Sequence, residues 1–259
     1  MAYRYIRLRT LEGKVHYGLL HTDRVAQILD APPWLNGQPT DQQLPPDHYQ
    51  LLAPCAPSKI VAVGKNYAKH AAEMGSPPPR EPILFLKPPT TVIADRGEIF
   101  YPSQSSRVDY EGELALVMGD RICNCPPEMA HSKIWGYTIA NDVTARDLQQ
   151  QDGQWTRAKG FDTFCPLGPW VVREINPGAV LQTFLNEQLV QRVSVDMMLF
   201  APHVLVSYIS HVMTLLPGDI VLTGTPEGIG PMQVGDRVRV EIEGIGGLEN
   251  AIVPRPTAC

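Results

Sequence analysis

The chain has no apolar run that reaches the roughly eighteen residues a membrane-spanning helix requires. Its opening residues, "MAYRYIRLRT", contain no apolar signal core. A soluble, cytoplasmic protein without membrane contact is the expectation. Positive charge is not in excess either: 22 Lys and Arg stand against 27 Asp and Glu, for a net charge of −5. That balance argues against an electrostatic nucleic-acid binder. Cysteine is too scarce, and odd in number, for a disulfide framework. The five thiols of Cys55, Cys123, Cys125, Cys165 and Cys259 are expected to be reduced and mostly structural. No internal repeat and no low-complexity tail occurs. "LTGTPEGIG" is glycine-rich but lacks the Lys-Ser/Thr end of a phosphate loop and the G-x-G-x-x-G order of a dinucleotide fold. Its backbone N–H groups, with the Thr223 and Thr225 hydroxyls, suit a small carboxylate instead.

What is abundant is proline, 25 residues against 21 glycines, which favours strands and loops over a helical bundle. The alternation in "YRYIRLRT" and "KVHYGLLHTDRVAQIL" predicts two or three antiparallel strands. The proline-rich "DAPPWLNGQPTDQQLPPDHYQLLAPCAPSK" then predicts a linker or surface arm. These give a small β module with linker over residues 1–57 and a main domain over 58–259 that opens with the strand "KIVAVG". Further strands are expected around 83–93, broken at Pro88-Pro89, over Ile134–Asn141, and in a hairpin turning at Asn186-Glu187. A short helix is expected from Tyr67 to Met74. One amphipathic helix is expected to present Val204, Val206, Ile209, Val212, Met213 and Leu216. The fold class is mainly β (α+β), sandwich- or barrel-like.

"VDYEGELALVMG", residues 108–119, predicts one continuous strand. Asp109, Glu111 and Glu113 share a face that turns apolar at Ala115 and Val117. Solvated surface charge explains part of this pattern, but Ala115 and Val117 carry the same face into a core. Paired carboxylates at a core edge repel unless a cation lies between them. A hard divalent ion resolves the conflict and requires a third ligand. Asp142, ending a strand in "ANDVTARDL", is a candidate, although an N-cap role serves it equally well. Arg146 in the same cluster suits a carboxylate. His70 and Glu73, three apart on a helix, form either an inconsequential surface pair or a base with its orienting carboxylate. Lys159 alone is an ordinary surface charge, and Cys165, between Phe164 and Pro166, is expected to be buried rather than nucleophilic.

The ordered motifs "VGKNYAKHAAEM", "ILFLKPPTT", "VDYEGELALVMG", "GYTIANDVTARDLQ", "AKGFDTFCPLGPW" and "LTGTPEGIGPMQVGDRV" resemble the fumarylacetoacetate hydrolase family over roughly residues 58–255. The resemblance implies a mixed β-sandwich roll with a small N-terminal β module, usually as a homodimer. It implies that Glu111, Glu113 and Asp142 hold Mg²⁺, with Mn²⁺ or Ca²⁺ as substitutes. It implies that Lys159, Arg146, Gln149 and Thr225 grip substrate, and that His70 and Glu73 form a dyad on a hinged lid. The implied activity is Mg²⁺-dependent cleavage of acylpyruvates, of fumarylpyruvate or acetylpyruvate type, to pyruvate and a carboxylic acid. Oxaloacetate decarboxylation, oxaloacetate keto-enol tautomerisation and isomerisation of an unsaturated dioic acid are the enzymatic alternatives. A metal-binding module without catalysis is the non-enzymatic one.

Overall fold

The computed structural model describes residues 3–256. The stretch 108–119 forms two strands rather than one, Val108–Tyr110 and Gly112–Met118, in different sheets. The change of ladder occurs at Glu111, where side chains replace a strand partner. Asn141 Oδ1 accepts from Glu111 N–H (2.9 Å) and Gln191 Oε1 accepts from Gly112 N–H (3.1 Å). Glycine at 112 is a steric requirement, because a Cβ there would lie 2.3 Å from Thr183 Oγ1 and 3.0 Å from Val240 Cγ1.

Val108–Tyr110 pairs antiparallel with Thr144–Ala145 and Gly230–Met232 in a small three-stranded sheet. Gly112–Met118 lies in a twelve-stranded sheet, flanked by Ile134–Asn141 and Ile220–Leu222. The third sheet has five strands, led by the hairpin Val180–Leu185 and Gln188–Ser194. Its turn residues Asn186 and Glu187 both have positive φ, 49° and 66°, as a two-residue hairpin turn demands. Leu114, Leu116 and Met118 of the large sheet pack with Leu181, Val240 and Ile242 of the five-stranded one, in the main core cluster. Parallel and antiparallel pairs coexist, with Ile220–Leu222 running parallel to Ile60–Gly64. The fold is thus mainly β with mixed sheets.

The segment expected as a linker is structured. It supplies the strands Pro39–Leu44 and Tyr49–Leu52, which pair with Ala26–Leu29 and Arg4–Thr10. Its Trp34 is buried edge-on to Tyr17 and Trp135, at 5.2 and 5.9 Å. Polar composition concealed strands whose side chains are half in water but whose backbones complete open sheet edges. Arg4–Thr10 pairs with Cys165–Val172, so the first strands continue the twelve-stranded sheet.

The long helix is Pro202–Val212, shorter than the apolar spacing predicts. Met213 is already extended, and Val212 is 61% exposed. Ser207 and Ser210 take the buried face beside Val206 and Ile209. Their hydroxyls satisfy a neighbouring loop: Ser207 Oγ donates to Cys125 O (2.8 Å) and Ser210 Oγ accepts from Cys125 N–H (2.8 Å). The expected short helix is present as Ala68–Glu73. Cys55, Cys123, Cys125 and Cys165 are free thiols, and Cys259 lies outside the described residues.

Asp219, fully buried ahead of Ile220–Leu222, fastens the chain where it enters the main body. It accepts from Ser58 N–H (3.1 Å), Ser58 Oγ (2.6 Å) and Leu216 N–H (2.8 Å), and pairs with the Lys59 ammonium. Asp219→Ala leaves these donors without a partner and is expected to cost about 3 kcal/mol. Urea unfolding checks this, and an unchanged midpoint contradicts it.

Candidate active site

The break at Glu111 brings three carboxylates together. Glu113 is the second residue of Gly112–Met118, and Asp142 directly follows Ile134–Asn141. Because Gly112 pairs with Asn141 in the antiparallel register, both chain ends meet at one point. Asp142 N–H donates to Glu111 O at 2.8 Å and closes the seam. One oxygen from each of Glu111, Glu113 and Asp142 lies within 4.8 Å of the others, and all three residues are buried. Asp142 caps no helix, since the next one starts at Arg146 with Ala145 as its N-cap.

Lys159 is no surface charge. It is 2% exposed, and its Nζ donates to Glu111 Oε2 (2.8 Å) and Asp142 Oδ2 (2.6 Å). A second buried lysine, Lys87, which the sequence reading missed, donates to Asp142 Oδ1 (2.6 Å) and Val143 O (3.2 Å). Asp109 was missed as a partner too. The signals were faint: Lys87 ends an otherwise apolar strand, and Asp109 shares the face of the two glutamates. Arg146 reaches the cavity wall, but all three of its nitrogens already have protein partners. They bond Asp109 (2.9 Å), Gln149 Oε1 (2.6 Å) and the Glu111 carboxylate.

Burial alone would raise the Glu111 carboxyl, but Lys159 and Arg146 outweigh it and hold it below the usual carboxylate range. Burial would likewise lower the Lys159 ammonium, yet Asp142 and Glu111 hold it above the ordinary lysine value. Glu113 is the exception. Burial, then Asp142 and Glu111 beside it, push its carboxyl well above the usual range. No cation within ion-pair distance reaches it among the described residues; Gly224 N–H donates to its Oε2 at 2.7 Å. Glu111 pairs with Arg146 and Lys159, Asp142 with Lys87 and Lys159, and Asp109 with Arg146 and the half-exposed Arg107, so that among the described residues Glu113 alone of the four carboxylates has no cationic partner. An all-oxygen donor set with a carboxylate lacking a counter-charge fits a hard divalent cation.

His70 is 4% exposed on the helix Ala68–Glu73, with Nδ1 3.0 Å from Glu73 Oε2. Glu73 Oε1 accepts from Gly228 N–H at 3.0 Å, latching this helix to the 223–229 loop. A cavity of about 30 Å³ is lined by His70, Glu111, Glu113, Asp142, Arg146, Gln149, Lys159 and Thr225, while Glu73 stands behind His70. Phe85, Met74 and Trp155 supply its apolar wall. Thr223 does not join them as expected. Its hydroxyl donates to Leu114 O at 2.9 Å and props up the strand instead. Cys165 is fully buried, and burial pushes its thiol up to about 12, which disqualifies it as a nucleophile.

Replacing Glu113 by Gln removes the carboxylate that lacks a cation and isolates its role. Mn²⁺ affinity is expected to fall at least about hundredfold. Without metal the variant should melt no lower than the parent, because the repulsion is relieved. Adding Mn²⁺ should raise the Tm of the parent only. Titration calorimetry and thermal melts check this, and parent-like Mn²⁺ binding by Glu113→Gln removes Glu113 from the ligand set.

The family model described as fumarylacetoacetate (FAA) hydrolase C-terminal matches residues 59–253, and one described as Rv2993c-like, N-terminal, matches residues 3–54. The solved 5-carboxymethyl-2-hydroxymuconate delta-isomerase of Mycobacterium smegmatis is 44% identical, with a TM-score of 0.91 over 97% of this chain and 100% of that one. The mitochondrial oxaloacetate tautomerase fahd2 of Xenopus laevis is 40% identical over 217 residues, covering 78% of this chain and 68% of the relative. A fumarylpyruvate hydrolase from Pseudomonas aeruginosa, solved with Mn²⁺ and pyruvate, is 35% identical with a TM-score of 0.74, over 83% of this chain and 93% of that one. With its residues 59–253 matched along their length, the chain belongs to the fumarylacetoacetate hydrolase family.

Proposed function

We propose that the protein is a divalent-metal-dependent enzyme that interconverts the keto and enol forms of a small 2-oxo dicarboxylic acid, of the oxaloacetate class. One observation carries the reading. His70, held by a carboxylate, shares a single cavity with the Glu111–Glu113–Asp142 cluster. Glu111, Glu113 and Asp142 would hold a divalent ion, which would supply Lewis-acid polarisation to a bound 2-oxo acid.

The residues of the chain do the rest. Glu73 on Nδ1 favours the tautomer in which that nitrogen carries the proton, leaving Nε2 as the base. His70 then takes a proton from the carbon beside the ketone, and the electron pair moves to the ketone oxygen. Return of the proton to that oxygen gives the enol, and return to carbon restores the ketone. Lys159 places a fixed positive charge at the cavity wall, where the growing negative charge is stabilised. Thr225 offers a hydroxyl to a substrate carboxylate, and Phe85 and Trp155 exclude water from the carbon chain. Arg146 acts first on Glu111, whose carboxylate it holds in place, and Gln149 Oε1 accepts from Arg146 behind it.

The tautomerase and isomerase relatives, at 40% and 44% identity, support proton transfer as the central step. Hydrolysis of an acylpyruvate is the second reading, favoured by the likeness to the fumarylpyruvate hydrolase. It uses the same dyad to activate a water. A metal-binding module without catalysis gives no reason for an imidazole aligned by Glu73 on the same cavity.

An NMR time course with Mg²⁺ on oxaloacetate, acetylpyruvate and fumarylpyruvate separates these readings. Faster keto–enol exchange of oxaloacetate, lost with EDTA, is expected. His70→Ala should slow it about 10²- to 10⁴-fold while leaving Mn²⁺ binding intact. Pyruvate with CO₂ indicates decarboxylation, pyruvate with a carboxylic acid indicates hydrolysis, and no metal-dependent change on any substrate overturns the proposal.

A further inference from the structure

Gln191 lies outside the cavity and joins its two halves. It is 1% exposed, on the strand Gln188–Ser194. Its Oε1 accepts from the N–H of Gly112, the residue between Glu111 and Glu113, at 3.1 Å. Its Nε2 donates to Pro226 O at 3.0 Å and to Thr225 Oγ1 at 2.9 Å. The oxygen and nitrogen of a glutamine amide are distinguished by their partners. Here the partners decide, since a backbone N–H only donates and a backbone carbonyl only accepts. The nitrogen must face the loop.

A consequence follows for Thr225. Its oxygen already receives an N–H from Gln191, so its own O–H must seek another acceptor. No protein acceptor takes it among the described residues, and Thr225 is 2% exposed on the wall of the candidate active site. The loop also leans on this strand. A Cβ on Gly228 would lie 2.2 Å from Val190 O and 3.4 Å from Gln191 Cγ. Gly228 N–H is the group that latches Glu73.

We propose that Gln191 is a positioning residue that fixes the Thr225 hydroxyl as a hydrogen-bond donor to a substrate carboxylate. It also ties that donor to the segment that carries Glu111 and Glu113. The inference rests on the functional reading above, because it requires an anionic substrate in the same cavity. A donor set in advance needs no reorganisation when a negative oxygen arrives. The shared amide makes the substrate loop and the carboxylate strand one hydrogen-bonded unit, in which a shift of either is felt by the other.

The test uses the full chain in excess Mg²⁺, with oxalate as the probe in titration calorimetry and Mg²⁺ alone as the control. Gln191→Glu keeps an acceptor for Gly112 N–H but presents an acceptor to Thr225, drawing its proton out of the cavity. Gln191→Met removes the amide without turning the hydroxyl away. Thr225→Val removes the hydroxyl. Gln191→Glu and Thr225→Val are each expected to weaken oxalate binding about ten- to hundredfold. Gln191→Met should weaken it less than Gln191→Glu, while Thr225→Val, which leaves the Gly112 contact in place, binds Mg²⁺ alone as the parent does. Combining Gln191→Glu with Thr225→Val should cost no more than the worse single change. Parent-like oxalate binding by Gln191→Glu, or losses that add in the double variant, overturns the proposal. Should Gln191→Glu fail to fold, Gln191→Met in the Thr225→Val background decides, and an additive loss there is the contrary result. A parent that binds no oxalate with Mg²⁺ overturns the functional reading and this inference together. A parent that binds, with variants that bind equally, overturns this inference alone.

Discussion

Carboxylates buried within reach of one another repel strongly, since neither water nor distance screens them. Glu111, Glu113 and Asp142 are held in that condition at the seam between two sheets. Much of the surrounding structure is legible as the means of keeping them there. The ladder breaks at Glu111, glycine at 112 lets the sheets close, and Asn141 and Gln191 take up the freed backbone donors. Lys159, Lys87 and Arg146 offset the charge on two of the three carboxylates. Glu113 alone keeps an unmatched demand for positive charge. The backbone that bears Glu113 is paired on both sides, so separating it from Asp142 by backbone movement would break those ladders.

The remaining elements close the cavity around this centre. The helix Ala68–Glu73 brings the imidazole, and Glu73 makes two bonds with its two oxygens. One orients His70, and the other fastens the helix to Gly228. Tyr110 OH in turn donates to Gly228 O at 2.9 Å, from the strand that leads into Glu111. Alignment of the dyad therefore depends on the contact between this helix and the 223–229 loop. A helix of six residues contributes little stability of its own.

The local patterns visible in the sequence were those with strong period or turn chemistry. Ile134–Asn141 and the Asn186-Glu187 hairpin were legible for that reason. The spacing of Glu111 and Glu113 pointed to a shared face, and the structure brings them together with Asp142, which lies far along the chain. What escaped depended on contacts distant in the chain. Nothing local distinguishes a continuous strand from one that changes sheets at Glu111, because both halves alternate correctly. Lys87 resembles any lysine at a strand end until Asp142 is set against it. Gln191 has no signature at all, since its meaning lies in Gly112 and Thr225. The strands Pro39–Leu44 and Tyr49–Leu52 were hidden by polar side chains, although sheet edges need only their backbones.

The most direct test of the central claim is anomalous diffraction at the manganese edge from crystals soaked with Mn²⁺ and oxalate. The account predicts one strong peak bounded by oxygens of Glu111, Glu113 and Asp142, with oxalate seated between it, Lys159 and the Thr225 hydroxyl. Full Mn²⁺ occupancy at another place, with Glu113 still bonded only to Gly224, would contradict it.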